Sequence, residues 1–171
     1  YNGTISGTIT QVVNTATKTN TTTTITADTP DPSVVGQAVT VSYTVTGSGG
    51  TPTGNVTVSD GTVSCTATVA AGSCALTLTT AGAKTLTATY AGDANFNGST
   101  SAGAAHTVNK TNTTTTITAD TPDPSSTGQA VTVSYTVTGS GGTPTGNVTV
   151  SDGIVSCTAT VVTGNCALTF T

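Results

Sequence analysis

Lys18-Thr-Asn-Thr-Thr-Thr-Thr-Ile-Thr-Ala-Asp-Thr-Pro-Asp-Pro-Ser33 occurs twice in this chain. It returns as residues 110–125, and the repeated register continues without a gap to Thr171. The period from Lys18 to Lys110 is 92 residues, and only seven of the 62 paired positions differ. Solenoid repeats are about 20–50 residues long and cannot bury a core alone, whereas about 100 residues suffice for a small independent domain. The sequence therefore predicts tandem domains.

Within the repeat, apolar residues alternate with Thr and Ser. Val39, Val41, Tyr43 and Val45 share one face of a run whose other face is Thr and Ser, a period of two that predicts a β-strand. The same reasoning gives seven short strands, A to G, at residues 21–26, 39–46, 56–58, 63–69, 74–78, 85–90 and 104–108. Turn residues separate them, and no helical periodicity is present. This pattern predicts an all-β fold, an antiparallel β-sandwich of the immunoglobulin (Ig) type.

The repeat also predicts the domain boundaries. Residues 18–109 form one complete module, and residues 110–171 form an incomplete module without its last two strands. Residues 1–17 match the end of a repeat, so we expect the last strand of a preceding module, from a longer chain. The alternative is a strand donated to a neighbouring copy. The connection at 108–112 contains neither Gly nor Pro, which predicts a stiff link and a rod of modules.

The composition excludes several classes of partner. Charged residues make up 6 % of the chain, the net charge is −4, and Thr supplies 48 of the 171 residues. With no Lys/Arg cluster to neutralise phosphates, binding to nucleic acid or to an anionic membrane surface is not expected. No apolar run reaches the length of a spanning helix, so we expect no membrane span in this segment.

Four cysteines form one pair in each repeat, nine residues apart. The spacing is not that of a zinc site, so it predicts the disulfides Cys65–Cys74 and Cys157–Cys166 and an oxidising, extracellular compartment. Two buried free thiols per module are the alternative. A hairpin folded at residues 70–72 would place the first two cysteines opposite each other, so we expect the bridge to join neighbouring strands D and E of one sheet.

Few residues suit chemistry. His106 is the single histidine, and a Ser/His/Asp arrangement with Asp93 and a nearby serine has no supporting sequence context, so no enzyme is expected. Asp93, Asn95 and Asn97 match the first half of a calcium loop, but Ala104 stands where such a loop needs a bidentate Glu. We therefore expect Asx turns there rather than a metal site or a cofactor. The pairs Asp28/Asp31 and Asp120/Asp123 raise the same calcium question, with the same answer.

Two stretches carry a family resemblance. Thr51-Pro-Thr-Gly-Asn-Val-Thr-Val-Ser-Asp-Gly61 and Ala81-Gly-Ala-Lys-Thr-Leu-Thr-Ala-Thr-Tyr-Ala-Gly-Asp-Ala-Asn-Phe96 resemble the bacterial Ig-like domain repeats of large secreted and cell-surface proteins. The resemblance implies an Ig-type sandwich, a role as a spacer, stalk or adhesin module, and no catalytic residues.

Two functional hypotheses follow. The first is a structural, extracellular stalk or fibre at the bacterial cell surface, whose partners are neighbouring modules of the same or an identical chain, including a homopolymeric fibre. The alternative is a module that binds a surface carbohydrate or a receptor through its loops, for which Phe96 is the main aromatic candidate because Tyr43, Tyr90 and Tyr135 fall on core faces.

Overall fold

A computed structural model of the chain describes residues 17–171. The first repeat contains nine strands, in order β1 Thr21–Thr29, β2 Ser33–Val34, β3 Ala38–Gly47, β4 Asn55–Ser59, β5 Ser64–Thr68, β6 Ser73–Thr77, β7 Gly82–Tyr90, β8 Ser99–Thr100 and β9 Ala104–Asn109. A 3₁₀ turn at Val69–Ala71 joins β5 to β6. The strand predicted within residues 1–17 falls outside the described residues except for Thr17, which lies in no strand.

These strands form the two sheets of the sandwich. One has the order β1-β3-β6, and the other has the order β2-β9-β7-β4-β5, with β8 paired to β7. The prediction of an all-β, Ig-like β-sandwich is confirmed. Strand A, predicted to end at Thr26, extends to Thr29. The chain then resumes as β2, in which Ser33 pairs in parallel with Val108 of β9. Pro30 and Pro32 lie in the interruption because proline cannot donate to a ladder.

The core follows the predicted alternation. Val39, Val41 and Tyr43 of β3 are at most 2 % exposed, while the intervening Thr40 is exposed. Two tyrosines reach across the core and end on backbone carbonyls: the Tyr43 hydroxyl donates to Thr68 O at 2.9 Å, and the Tyr90 hydroxyl to Thr53 O at 2.7 Å. The prediction that the tyrosines face the core is confirmed.

The sequence predicts that the first disulfide joins neighbouring strands of one sheet, but the structure places its two cysteines on strands of different sheets. Cys65 and Cys74 are bonded, with their Cα atoms 5.9 Å apart, but β5 pairs with β4 whereas β6 belongs to the sheet of β1 and β3. The hairpin prediction is wrong because the 3₁₀ turn ends at Gly72 in the left-handed conformation (φ 68°). The Gly72 carbonyl then accepts the Tyr43 N–H at 2.8 Å, which directs β6 onto β3. The disulfide therefore joins the edge strands of two sheets.

The second repeat forms five strands with the same bounds, shifted by 92 residues: β10 Thr113–Thr121, β11 Ala130–Gly139, β12 Asn147–Ser151, β13 Ser156–Thr160 and β14 Asn165–Thr169. Its sheets are β10-β11-β14 and β12-β13, and Cys157–Cys166 joins β13 to β14. Among the described residues, β12 pairs with β13 alone, whereas its equivalent β4 also pairs with β7. No helix in residues 17–171 has the length and apolar character to cross a membrane.

Candidate functional site

His106 lies on β9 and is the centre of a buried polar group in the first repeat. Its side chain is fully buried, and its Nε2 atom lies 2.8 Å from Ser33 Oγ. Ser33, itself 1 % exposed, reaches this position because β2 runs parallel to β9 after the proline interruption. A buried polar pair of this kind must satisfy its own hydrogen bonds, and each residue gives the other a partner.

Two carboxylates complete the group on the other side of the imidazole ring. Asp31 Oδ1 lies 3.5 Å from His106 Nδ1 and accepts the Thr107 backbone N–H at 3.0 Å. Asp28 lies near the end of β1, and one ligand atom each from Asp28, Asp31 and His106 lie within 4.8 Å of one another. Asp31 is 38 % exposed, so the group meets solvent on its carboxylate side. We call these three residues the Asp28–Asp31–His106 cluster.

The order Ser33–His106–Asp31 has the connectivity of a Ser/His/Asp triad, but it lacks the access that catalysis needs. A nucleophile must reach the substrate carbonyl, and a hydroxyl on a residue that is 1 % exposed offers no face for attack. The structure also corrects the pairing considered from the sequence, since His106 contacts Asp31 rather than Asp93. We interpret the Ser33 contact as a structural hydrogen bond that holds β2 on β9.

Asp93, one of the calcium candidates, is held by hydrogen bonds in its own loop. Its Oδ2 accepts the backbone N–H of Thr53 at 2.8 Å, and its Oδ1 accepts those of Asn95 and Phe96, both at 2.8 Å. These bonds, led by that from Thr53, hold the pKa of the Asp93 carboxyl well below its usual range. Asn97 donates its amide to Lys18 O and Asn20 Oδ1. These hydrogen bonds are those of the Asx turn that we expect at Asp93, and calcium binding at Asp93, Asn95 and Asn97 stays the untested alternative.

Phe96 is not the exposed loop aromatic that the binding hypothesis required. Its side chain is 4 % exposed and packs against β3, where a Cβ atom at Gly47 would lie 2.7 Å from a carbon of the ring. The isolated bridge between Thr19 and Phe96 also fixes the loop. A ring buried in this way cannot stack on a sugar, so the prediction for Phe96 is wrong. The reason is tertiary: Gly47 leaves room that the ring fills.

From the sequence, Asp28 and Asp31 are candidates only for calcium binding and not as partners of His106. Ser33 is not singled out. Their partner lies more than 70 residues away along the chain. The two-residue spacing of Asp31 and Ser33 permits both to face one neighbouring strand, but no local signal identifies β9 as that strand. Only the parallel pairing of β2 with β9 brings the group together.

Comparison with known proteins bears on the first repeat. Residues 25–109 match the family model described as "Bacterial Ig-like domain (group 3)". No curated protein and no solved structure matches the chain significantly.

Proposed function

Because residues 25–109 belong to the bacterial Ig-like domain family (group 3), we propose that this chain is a structural part of an extracellular stalk or fibre built from tandem Ig-like repeats. The sandwich fold and the family support an adhesin-type structural module. The proposal adds the tandem arrangement, the spacer role and the location at the bacterial cell surface.

One observation carries the proposal: the second repeat folds as the first does, from the same strand pattern. Val148 pairs with Ala159 in β12–β13 as Val56 pairs with Ala67 in β4–β5, and the disulfides have the same Cα separation of 5.9 Å. β9 ends at Asn109 and β10 begins at Thr113, so three residues separate the strands of successive repeats. A connection this short, without Gly or Pro, favours a stiff array over independent beads.

The surface chemistry supports an extracellular, non-enzymatic role. All four cysteines are in disulfides, which persist in oxidising compartments. Charged residues are only 6 % of the chain, so few ion pairs respond to changes of salt. Ig-like domains of this family are typically not catalytic, and the buried hydroxyl of Ser33 is consistent with that.

The partners that we propose are neighbouring repeats of the same or an identical chain. The β12 edge has the sequence and register of β4, whose edge pairs with β7 through Val56↔Tyr90 and Val58↔Ala88. A β7-type strand would cover Val148 and Val150 in the same way. It would come from a continuing repeat or, in a homopolymeric fibre, from a second copy. An exposed strand edge is a template for such pairing.

The alternative, a carbohydrate- or receptor-binding module, lacks a supporting observation. It depended on an exposed aromatic ring, and Phe96 is buried. We therefore do not favour this role.

Small-angle X-ray scattering of the whole chain tests the stalk proposal. We expect an elongated particle whose distance distribution has a long tail, because a short stiff connection holds successive repeats end to end. A distribution typical of a compact globule would contradict the proposal.

A matched variant makes this measurement specific to the connection. Replacing Lys110, Thr111 and Asn112 together by glycine leaves both repeats intact but makes the link flexible. We expect the distance distribution to broaden and its maximum to become less defined. A variant indistinguishable from the parent chain would contradict a stiff connection.

A further inference from the structure

We propose that the second repeat binds the segment Tyr1-Asn2-Gly3-Thr4 of a second copy of this chain, a segment that precedes the described residues. The receiving residues, which we call the β10 socket, are 110–115, which lead into β10, and 139–146, the loop that follows β11. Such a contact rests on the homopolymeric fibre of the proposed function, because it is the means by which copies of the chain would associate.

In the first repeat, Phe96 fills the equivalent site. Its side chain is 4 % exposed. A Cβ atom at Gly47 would lie 2.7 Å from a carbon of the ring, and one at Gly50 would lie 3.5 Å from its Cζ atom. Thr19 forms an isolated parallel bridge with Phe96. The two glycines therefore leave the space that the ring occupies.

Asn97, the residue after the ring, is held by the residues that lead into β1. Its backbone N–H donates to Thr19 O at 2.8 Å. Its side-chain amide donates to Lys18 O at 3.3 Å and to Asn20 Oδ1 at 2.8 Å, and its carbonyl accepts the Thr21 hydroxyl at 2.8 Å. An asparagine is therefore recognised here through both its backbone and its side chain.

The second repeat carries the same residues around an open cavity. Lys18, Thr19, Asn20, Thr21, Gly47 and Gly50 return as Lys110, Thr111, Asn112, Thr113, Gly139 and Gly142. The cavity has a volume of about 280 Å³, and Val35, Thr113 and Pro144 are among the residues that line it. No residue of 110–171 corresponds in the repeat register to Phe96. The β10 socket thus has the ring-binding residues without a ring.

Threonine hydroxyls of β10 complete the match. In the first repeat, Ser99 Oγ lies 2.8 Å from Thr21 Oγ1 and 2.7 Å from Thr23 Oγ1, and Thr23 is only 4 % exposed. Its equivalent in the second repeat, Thr115, is exposed. A hydroxyl two residues after the asparagine would find the same two partners on β10.

The socket loop differs from its counterpart in one respect. A Cβ atom at Gly141 would clash with the Thr111 side chain, whereas one at Gly49 would meet no atom within 4 Å. The loop therefore lies close to Thr111, and a ring that binds must move it outward. Glycine at positions 141 and 142 permits this movement because it has the widest range of backbone conformations.

Tyr1-Asn2-Gly3-Thr4 has the sequence that this site requires. It lines up with Phe96-Asn97-Gly98-Ser99, so an aromatic ring is followed by asparagine and then, two residues later, by a hydroxyl. A Cβ atom at Gly142 would meet no atom within 4 Å, which leaves room for the tyrosine hydroxyl. Each copy has one segment and one socket, so head-to-tail contacts that do not close into a ring build a filament.

Sedimentation velocity of the whole chain at increasing concentration tests the proposal. We expect the parent chain to associate reversibly. Tyr1→Ala should weaken association about 30-fold or more, as the loss of a buried aromatic anchor does at interfaces, and Asn2→Ala about 10-fold through its lost hydrogen bonds. Ile154→Thr, which gives an exposed turn the residue of the first repeat, should associate as the parent chain does.

Gly139→Ala blocks the socket and leaves the segment intact. The added Cβ atom would lie 3.2 Å from Thr113 Cγ2, a contact that a small shift relieves, whereas the equivalent atom at Gly47 would lie 2.7 Å from the ring. This variant should therefore fold but not bind Tyr1. Tyr1→Ala and Gly139→Ala chains should each sediment as monomers, and their mixture should form a 1:1 dimer from one intact segment and one intact socket.

Three results would overturn the proposal: a parent chain that stays monomeric at millimolar concentration, association that Tyr1→Ala leaves unchanged, or a mixture of the two variants that stays monomeric. Failure of the fibre's stalk geometry is distinguishable from these results. An elongated scattering profile from a chain that does not associate would support the stalk and overturn the socket contact, whereas a compact chain that associates through Tyr1 would do the reverse.

Discussion

At the scale of single residues, the buried tyrosines show how a chain so poor in charge still has polar constraints in its core. Burial raises the pKa of Tyr43, and burial together with nearby Asp93 raises the pKa of Tyr90. Each hydroxyl donates to a backbone carbonyl, so the neutral form is the one that fits the fold. Both rings are at most 2 % exposed, and ionisation there would leave a charge without water.

The tyrosines predict an alkaline loss of stability. A group whose folded pKa is raised contributes its full stability below its unfolded pKa and loses it as the pH rises toward the folded value. Urea unfolding of the chain should therefore give a constant midpoint up to about pH 9 and a falling midpoint above about pH 10.

The variant with both Tyr43→Phe and Tyr90→Phe separates the contribution of the tyrosines from that of all other groups in the chain. Each substitution should cost about 1 kcal/mol at neutral pH through its lost hydrogen bond, and the pair should flatten the alkaline fall. A fall as steep as that of the parent chain would assign it to other groups.

At the scale of elements, the disulfide acts between sheets rather than within a hairpin. β5 and β6 are edge strands of different sheets, and no ladder connects them directly. The Cys65–Cys74 bond holds these edges together beside the 3₁₀ turn. The disulfide is therefore a direct bond between two strands that share no hydrogen-bond ladder.

Removing the bridge should lower stability by a measurable amount. Closing a loop of about ten residues contributes about 2.5 kcal/mol in the chain-entropy model. The double variant Cys65→Ser with Cys74→Ser should therefore lower the free energy of unfolding of the first repeat by about this amount in urea titrations. The matched pair, Cys157→Ser with Cys166→Ser, should instead destabilise the second repeat. An unchanged first transition would contradict the structural role.

At the scale of the whole molecule, the two repeats differ in what their strands meet within this chain. Val56 in β4 is fully buried beneath neighbours that include β7, whereas Val148 in β12 is half-buried, and Ile117 in β10 is 60 % exposed. The sequence difference Leu78/Phe170 follows the same contrast, since Leu78 is fully buried and Phe170 is only partly so. Near-identical residues thus have different surroundings.

Hydrogen exchange should report this difference. We expect the amides of β12 to exchange faster than those of β4, because β4 has ladder partners on both sides and β12 pairs only with β13 among the described residues. Mass spectrometry on peptides covering residues 55–59 and 147–151 compares equivalent sequences directly. Equal protection of the two peptides would mean that the β12 edge is covered in solution.

Local chemistry explains which features the sequence alone could predict. The alternation of Val with Thr sets which side chains face the core, so the strands and the buried tyrosines were predictable. The repeat itself, read against Ig-like architecture, supported the sandwich. The same nine-residue spacing in both repeats indicated the cysteine pairs. All of these features were predictable because they depend on residues that are close together in the chain.

Tertiary structure decided the features that depend on residues far apart. The left-handed Gly72 and its bond to Tyr43 choose the sheet that β6 joins, which periodicity cannot encode. Parallel pairing of β2 with β9 brings Ser33 and Asp31 to His106, and the space at Gly47 buries Phe96. The alternation of apolar and polar residues determines which face of each strand is buried, whereas long-range packing determines which strand becomes its neighbour. The buried contact between Ser33 and His106 therefore exists only in the folded repeat.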